Sequence, residues 1–377
     1  MQTAPLKRGA AEGVALVTEE LMDGKTGYGI IGCGGIGRVH ARAVSNTPDV
    51  ELIAVSDIVH EKADKLAHEF GARCAYAEYR DLLARDDIQI VSICTPSGTH
   101  ADVGIDAARA GKHVLTEKPI DITLPKVDRL IDVCNEQNVR LACILQRRTL
   151  DVWQLVKRTI DVGKLGRMVL ASAYLKYCRS QDYYDSGGGW RGTWALDGGG
   201  ALMIQGIHMV DILQWIMGPV DLVLGFAEHL VRDIEVEDTA VASIRFRSGA
   251  LGTVEAATSV VPGMEHRMEF HGEHGTIRVE GENIVEWHVP GEDLATAIAQ
   301  VECAEDRMSP DPEGISPRGH QIQIADLVSA VREDREPMVT GAEARKAVEL
   351  ILAIYESART GVGVAPGASF ARGVQAT

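Results

Sequence analysis

The chain is short of several things that would tie it to a secreted, membrane or nucleic-acid-binding class. Its seven cysteines, Cys33, Cys74, Cys94, Cys134, Cys143, Cys178 and Cys303, are scattered, odd in number and without a CxxC pair. No disulfide framework is expected from that usage. Cys94 in IVSIC and Cys143 in RLACIL sit in apolar runs, as small buried hydrophobes do, and reducing cytosol fits them best. No stretch reaches the roughly 18 uninterrupted apolar residues of a membrane span. The run AEGVALV near the start is cut by Glu19 and Glu20, which argues against a secretory signal. Basic residues are also few, 38 against 54 acidic ones, for a net charge of −16. Nucleic acid and anionic membrane are therefore not expected partners.

What is present describes a soluble globular protein of two domains. Its 377 residues are 45% hydrophobic and 24% charged, with 39 glycines, and the length exceeds the usual single domain of about 100–200 residues. From Gly27 to about Arg148, apolar strand-length runs alternate with helix-length segments. That rhythm predicts a parallel sheet covered on both faces, with right-handed crossovers. After Arg148 the pattern changes. A helix over about 150–160 and the strand MVLASAYLKY lead into a glycine-rich aromatic segment. A long helical pattern runs from Ala201 to Met217, and six short interleaved segments follow it, reading as a mainly antiparallel sheet with one packed face. Helices are expected over about 317–332 and 341–357. The division is a flexible lead-in (1–26), a nucleotide-binding domain (27–148), an α+β domain for substrate and oligomerisation (149–340), a closing helix (341–360) and a flexible tail (361–377).

Gly32, Gly34 and Gly37 form GxGxxG between a strand and a helix, in the stretch Gly32-Cys33-Gly34-Gly35-Ile36-Gly37. The first glycine permits a tight turn, the second a close approach of backbone to a pyrophosphate, and the third close helix packing. The helix N-terminus then offers its free N–H groups to phosphate. Asp57 ends the next strand, where a carboxylate can bond an adenosine ribose and repel the extra phosphate of NADP. No arginine follows in Ile58-Val59-His60, so NAD is the expected cofactor. Thr95, Pro96, Ser97 and His100 follow the strand IVSIC, and Glu117, Lys118 and Pro119 follow HVLT. Both groups should open on the crevice at the carboxyl ends of the strands. There the Lys118 ammonium can orient a reacting hydroxyl and favour developing alkoxide charge.

The helical pattern from Ala201 is mostly apolar, so its polar members stand out. Gln205 and His208 are three apart on one face, and Asp211 is three further on. A neutral histidine can accept an alcohol proton as hydride leaves the adjacent carbon. Asp211 can orient that histidine or serve another polar network.

The GCGGIG turn, the TEKP segment and the ordered run WRGTWALDGGGALMIQGIHMVDILQWIMG resemble the glucose-fructose oxidoreductase, inositol dehydrogenase and MocA (Gfo/Idh/MocA) family, over about Gly27 to Ser357. The resemblance implies an amino-terminal Rossmann domain, a carboxy-terminal sheet domain, and packing through that sheet into homodimers or homotetramers. It implies NAD-dependent oxidation of a secondary hydroxyl on a sugar, cyclitol, sugar acid or sugar nucleotide. Lys118 maps onto the lysine of the EKP motif and His208 onto the catalytic histidine. Many relatives place aspartate or asparagine four residues before that histidine, where this chain has Ile204, and an aliphatic side chain can neither relay a proton nor bond a hydroxyl. An NAD-dependent glycosidase using transient redox chemistry and a non-catalytic NAD-binding protein are the alternatives.

For the substrate, Tyr177, Tyr184, Trp190 and Arg191 are candidates, together with Gln205 and Asp211. Aromatic rings stack on sugar faces and arginine grips carboxylate or phosphate. Arg191 leads as the anion ligand. Individually, each aromatic could equally be a core residue. No cysteine and histidine spacing suggests a metal site.

Overall fold

The computed structural model describes residues 24–186, 188–301 and 316–367. Most of the expected lead-in and tail, and Cys303, lie outside the described residues.

The amino-terminal half alternates strand and helix. In order it runs β1 (Thr26–Ile31), α1 (Gly35–Ser45), β2 (Val50–Ser56), α2 (His60–Phe70), β3 (Cys74–Tyr76), α3 (Tyr79–Leu83), β4 (Ile90–Ile93), α4 (His100–Arg109), β5 (His113–Thr116), α5 (Leu124–Glu136) and β6 (Leu141–Cys143). The strands lie parallel in the order β3-β2-β1-β4-β5-β6. Every residue of β1 and β4 is buried, as a strand covered by helices on both faces requires. The order reverses between β1 and β4, and a crevice opens at the carboxyl ends of such strands. β3 and α3 carried no clear sequence pattern. Three half-buried residues at a sheet edge are too few to display a period.

The second half contains α6 (Asp151–Asp161), β7 (Met168–Lys176), α7 (Gln181–Asp185), a π-helical turn (Ala201–Gly206), α8 (Ile207–Met217), β8 (Val220–Glu228), β9 (Thr239–Phe246), β10 (Leu251–Ala257), β11 (Arg267–Gly272), β12 (Thr276–Glu280), β13 (Asn283–His288), α9 (Leu294–Ala299), α10 (Arg318–Arg332) and α11 (Gly341–Thr360). Its seven strands are ordered β13-β12-β11-β7-β10-β9-β8. All pairs are antiparallel except the central β7 with β10. α8 and α11 cover one face of this sheet. On the other, β9 alternates buried and exposed residues, and Leu224, Phe226, Val241 and Leu251 are exposed. No helix among the described residues is long and apolar enough to cross a membrane.

Two features differ from the sequence expectation. The single helix expected from Ala201 to Met217 is a π-helical turn followed by an α-helix; an apolar run reads the same in either winding. α10, expected with the second sheet, packs on the first. Ile324, Leu327 and Val328 join the core of Tyr28, Ile30, Val44 and Leu115. Its Arg332 Nη2 donates to Thr26 Oγ1 at 3.0 Å and its Gln321 Nε2 to the Asn46 carbonyl at 2.7 Å.

Candidate active site

The glycine turn has the shape its spacing implied. Gly32 sits at φ 100°, where a side chain is strained, and a Cβ there would lie 2.5 Å from the Cys94 carbonyl oxygen. A Cβ on Gly37 would fall 2.0 Å from the Gly32 carbonyl oxygen. A Cβ on Gly34 would meet nothing within 4 Å. Gly34 is the residue capping α1, and it makes no side-chain cap. The first N–H groups of the helix therefore face an open cradle suited to a diphosphate. Gly34 and Gly35 are exposed and Ile36 half-buried. Asp57 stands beside the turn: Oδ2 accepts the Cys33 N–H at 2.9 Å and Oδ1 the Val59 N–H at 2.9 Å. A carboxylate offers about four acceptor positions, so this half-buried side chain keeps capacity for a ribose.

The Lys118–Pro119 peptide is cis. Lys118 Nζ donates to the Ile204 carbonyl oxygen at 2.9 Å, across 86 residues of sequence. That carbonyl lies in the π-helical turn leading into α8, and π turns within helices recur at functional sites. Ile204 is the position where the resemblance led one to expect aspartate or asparagine, and here it is its main-chain carbonyl that takes part, as acceptor for Lys118. A carbonyl holds an ammonium but takes no proton from it.

His208 is the second residue of α8 and is 7% exposed. Its Nδ1 has no hydrogen-bond partner among the described residues. Burial first, and then the Lys118 charge, hold it well below the ordinary histidine value, leaving a neutral imidazole with a lone pair able to accept a proton. Burial also lowers Lys118.

Three residues expected to touch cofactor or substrate make hydrogen bonds within the protein. Glu117 is buried: Oε1 lies 2.9 Å from His40 Nε2 and 3.2 Å from His320 Nε2, while Oε2 accepts the Lys118 N–H at 3.0 Å. Although burial opposes its charge, these two histidines hold the Glu117 carboxyl well below the usual range. His40 continues the chain to Ser92 Oγ and Tyr28 OH, at 2.8 and 2.7 Å. Glu117 thus fixes the backbone from which Lys118 projects. His100 lies 1% exposed between the carbonyls of Pro119 and Thr95, at 2.7 and 2.8 Å, bracing the two strand-end loops. Asp211 turns away from His208 to Arg148, whose Nη2 and Nε donate to it at 2.6 and 2.8 Å in a buried bidentate pair. Thr95 is half-buried, accepting from Thr99 Oγ1 at 2.8 Å, and Pro96 and Ser97 follow it at the crevice.

The aromatic segment divides in the same way. Tyr184 is a core residue whose OH meets Thr258 Oγ1 at 2.9 Å. Tyr177 is buried at the end of β7, and its OH has no partner among the described residues. Gln205 Nε2 donates to Tyr183 OH at 3.3 Å, which brings the tyrosine to the π-helical turn that precedes His208. Arg191 Nη1 donates to the Tyr183 carbonyl and to Ser186 Oγ, at 3.1 and 2.8 Å. Its guanidinium carbon lies 4.5 Å from the Tyr183 ring centroid and 5.3 Å from that of Trp190.

Sequence reasoning missed His40, His320, Arg148 and Glu237 and gave Asp197 no role. Glu237 accepts the N–H groups of Gly200 and Leu202 at 2.8 and 2.9 Å and the Tyr355 OH at 2.7 Å. It thereby anchors the start of the π turn, and burial pushes its carboxyl up to about 7. A Cβ on Gly200 would fall 1.9 Å from the Glu237 carbonyl oxygen, so part of the glycine run serves packing. Asp197 is 3% exposed, accepts the Gly192 N–H at 2.6 Å, and is pushed by burial up to about 6 within reach of the Lys118 charge. The only available signal was polarity inside apolar surroundings, which does not name a partner.

Two family models match the chain. Residues 26–144 match the oxidoreductase family with an NAD-binding Rossmann fold, and residues 153–278 match the GFO/IDH/MocA C-terminal domain. The chain is 30% identical to the myo-inositol 2-dehydrogenase of Thermotoga maritima, over 66% of this chain and 73% of that one. It is also 30% identical to the levoglucosan dehydrogenase of Pseudarthrobacter phenanthrenivorans, over 66% and 72%. Among solved structures, the WlbA dehydrogenase of Bordetella pertussis, in complex with NADH and UDP-GlcNAcA, superposes with a TM-score of 0.83 at 33% identity, covering 91% of this chain and 98% of that one. With both of its domains matched by models of the family, over ranges that include the glycine turn, the EKP segment and the histidine helix, the chain belongs to the Gfo/Idh/MocA family of oxidoreductases.

Proposed function

We propose that the protein is an NAD-dependent dehydrogenase that oxidises, reversibly, a secondary hydroxyl of a sugar-like ring, with nucleotide-linked sugars and sugar acids the favoured class. The turn at Gly32, Gly34 and Gly37 would hold the cofactor diphosphate, Asp57 would bond the adenosine ribose, and Thr95, Pro96 and Ser97 would border the crevice toward the nicotinamide. NAD supplies a hydride acceptor at the ring carbon opposite the nitrogen. Lys118 orients the substrate hydroxyl and stabilises its developing negative charge, and neutral His208 receives the proton.

One observation carries this reading: the 2.9 Å bond from Lys118 Nζ to the Ile204 carbonyl. It locks the lysine of the nucleotide domain one turn before His208, so two groups from different domains can serve one carbon. The similarity to a dehydrogenase bound to NADH and UDP-GlcNAcA supports the choice of class. The test follows NADH absorbance with purified protein over inositols, anhydrosugars, sugar acids and nucleotide sugars. Turnover of at least one class is expected. Folded protein that binds NAD yet reduces none of it across the panel would sink the proposal.

We further infer that the exposed sheet face bearing Leu224, Phe226, Val241 and Leu251 is covered by a second copy in a homodimer or homotetramer, since apolar side chains clustered on one strand face mark an interaction surface. Light scattering on the purified chain should give two or four times the monomer mass of 40.7 kDa; a monomer at micromolar concentration overturns this. The free thiols of the six described cysteines support a reducing cytosol as its location.

A further inference from the structure

We propose that Glu237, clamped on three successive N–H groups at the start of the π turn, is a positioning residue for Lys118: it holds the winding that turns the Ile204 carbonyl toward the ammonium. The inference rests on the function proposed above for the part that Lys118 plays.

Glu237 stands between β8 and β9 and is 3% exposed. Its Oε2 accepts the Gly200 N–H at 2.8 Å, its main-chain carbonyl the Ala201 N–H at 3.1 Å, and its Oε1 the Leu202 N–H at 2.9 Å. The first N–H groups of a helix have no partner inside it, and here one residue takes three in a row. Tyr355 of α11 adds its OH to Oε1 at 2.7 Å. No lysine or arginine is among these donors, so only dipoles offset the cost of taking this carboxylate out of water. A surface serine or aspartate can cap a helix start without that cost; what the buried residue adds is a fixed position. A Cβ on Gly200 would fall 1.9 Å from the Glu237 carbonyl oxygen, and one on Gly199 2.2 Å from the Tyr355 OH. The clamp is closed too tightly for a side chain at either glycine.

The far end of the turn is held as firmly. Every residue of α8 except Trp215 is buried, and the helix packs on β7 and α11. Between clamp and helix lies the turn Ala201–Gly206, and a π turn holds one residue more than an α turn. Released at its start, the segment can rewind as ordinary helix, and one residue taken up in this way rotates what precedes it by about 100°. The Ile204 carbonyl, 2.9 Å from Lys118 Nζ, then leaves the lysine. A residue of the second sheet domain thus aims the lysine of the first. Glu237 takes no proton in the proposed reaction; it acts through the turn.

The test uses NAD-loaded wild type, Glu237→Gln, Lys118→Met and the double variant. With a substrate that wild type turns over, Glu237→Gln should lower kcat about tenfold to a hundredfold, the scale on which a misplacement of about 1 Å acts, and leave KM and NAD affinity within about threefold. Added to Lys118→Met, the same substitution should cost less than about twofold, because changes that act through one group are not additive. No loss in wild type, or an undiminished loss in the Lys118→Met background, overturns the proposal. If Glu237→Gln does not fold, Tyr355→Phe, which removes one donor and keeps the carboxylate, should show the same pattern at about threefold, as for one hydrogen bond. Acetylation by acetic anhydride, read by mass spectrometry against the exposed Lys62 and Lys65, gives a readout that needs no turnover. Lys118 should label at least about threefold faster in Glu237→Gln, since an amine freed from a buried bond opens more often. If wild type oxidises nothing, this labelling decides: faster labelling upholds the positioning role although the proposed function fails. Unchanged labelling overturns it in either case.

Discussion

Replacing Lys118 with methionine should lower kcat/KM for the alcohol substrate about 10²- to 10⁴-fold, the usual contribution of a positioned proton-transfer or charge-stabilising group. NAD affinity should stay within a few fold. Methionine keeps most of the length and packing of the lysine stem but removes its charge and its bond to the Ile204 carbonyl. The pH profile separates an electrostatic role from a packing one. Positive Lys118 is one of the causes that depress His208, so removing it should let the histidine value rise. The proposed reaction needs neutral His208, so the residual activity of Lys118→Met should begin to fall at a higher pH on acidification than wild type does. Steady-state kinetics across pH, with NAD binding followed by fluorescence, measures both effects. A loss under threefold, or one explained by lost NAD binding, would remove Lys118 from the chemistry.

The second large effect concerns stability. Arg148→Met should destabilise the protein by about 3–5 kcal/mol, because it strands the Asp211 carboxylate in a buried site. Asp211 is 2% exposed and both its oxygens are bonded to Arg148. Arg148 also reaches Glu343 Oε2 at 3.2 Å and lies 5.3 Å from the Trp215 ring centroid. The residue therefore joins the end of the nucleotide domain to α8 and α11. Asp211→Leu alone should cost a similar amount, and the double variant should recover much of the loss, since two apolar side chains leave no charge unpaired. Urea unfolding of the three variants tests this. A stable Asp211→Leu protein whose only defect is a raised KM would return Asp211 to the substrate.

These expectations divide according to where their signal lies in the chain. The glycine turn was legible because three residues within six positions each answer a local requirement: Gly32 and Gly37 leave no room for a side chain, and Gly34 faces open space. The alternation of strand and helix was legible for the same reason, since burial on two faces imposes unbroken apolar runs. Lys118 could be nominated because it follows a strand that ends at the crevice, and His208 because it is a polar exception in an apolar helix. The roles of Glu117, His100 and Asp211 could not. Nothing in TEKP shows that its glutamate faces His40, 77 residues away, and His320, 203 away. Arg191 was the sequence choice for an anion, but only the folded loop shows Arg179 sharing its platform.

By itself, then, the order of residues determined the two-domain plan, the glycine turn between strand and helix, and the choice of Lys118 and His208 as candidates. Each of these is written in neighbouring residues, through periodicity and local backbone demands. The tertiary structure alone decided that a π turn offers its carbonyl to Lys118, that Asp211 belongs to Arg148, that α10 returns to the first sheet, and that Arg179 and Arg191 share the Tyr183 ring. Pairings across 63 or 86 residues follow from which surfaces pack together, and a side chain's sequence neighbours do not record the partner it meets.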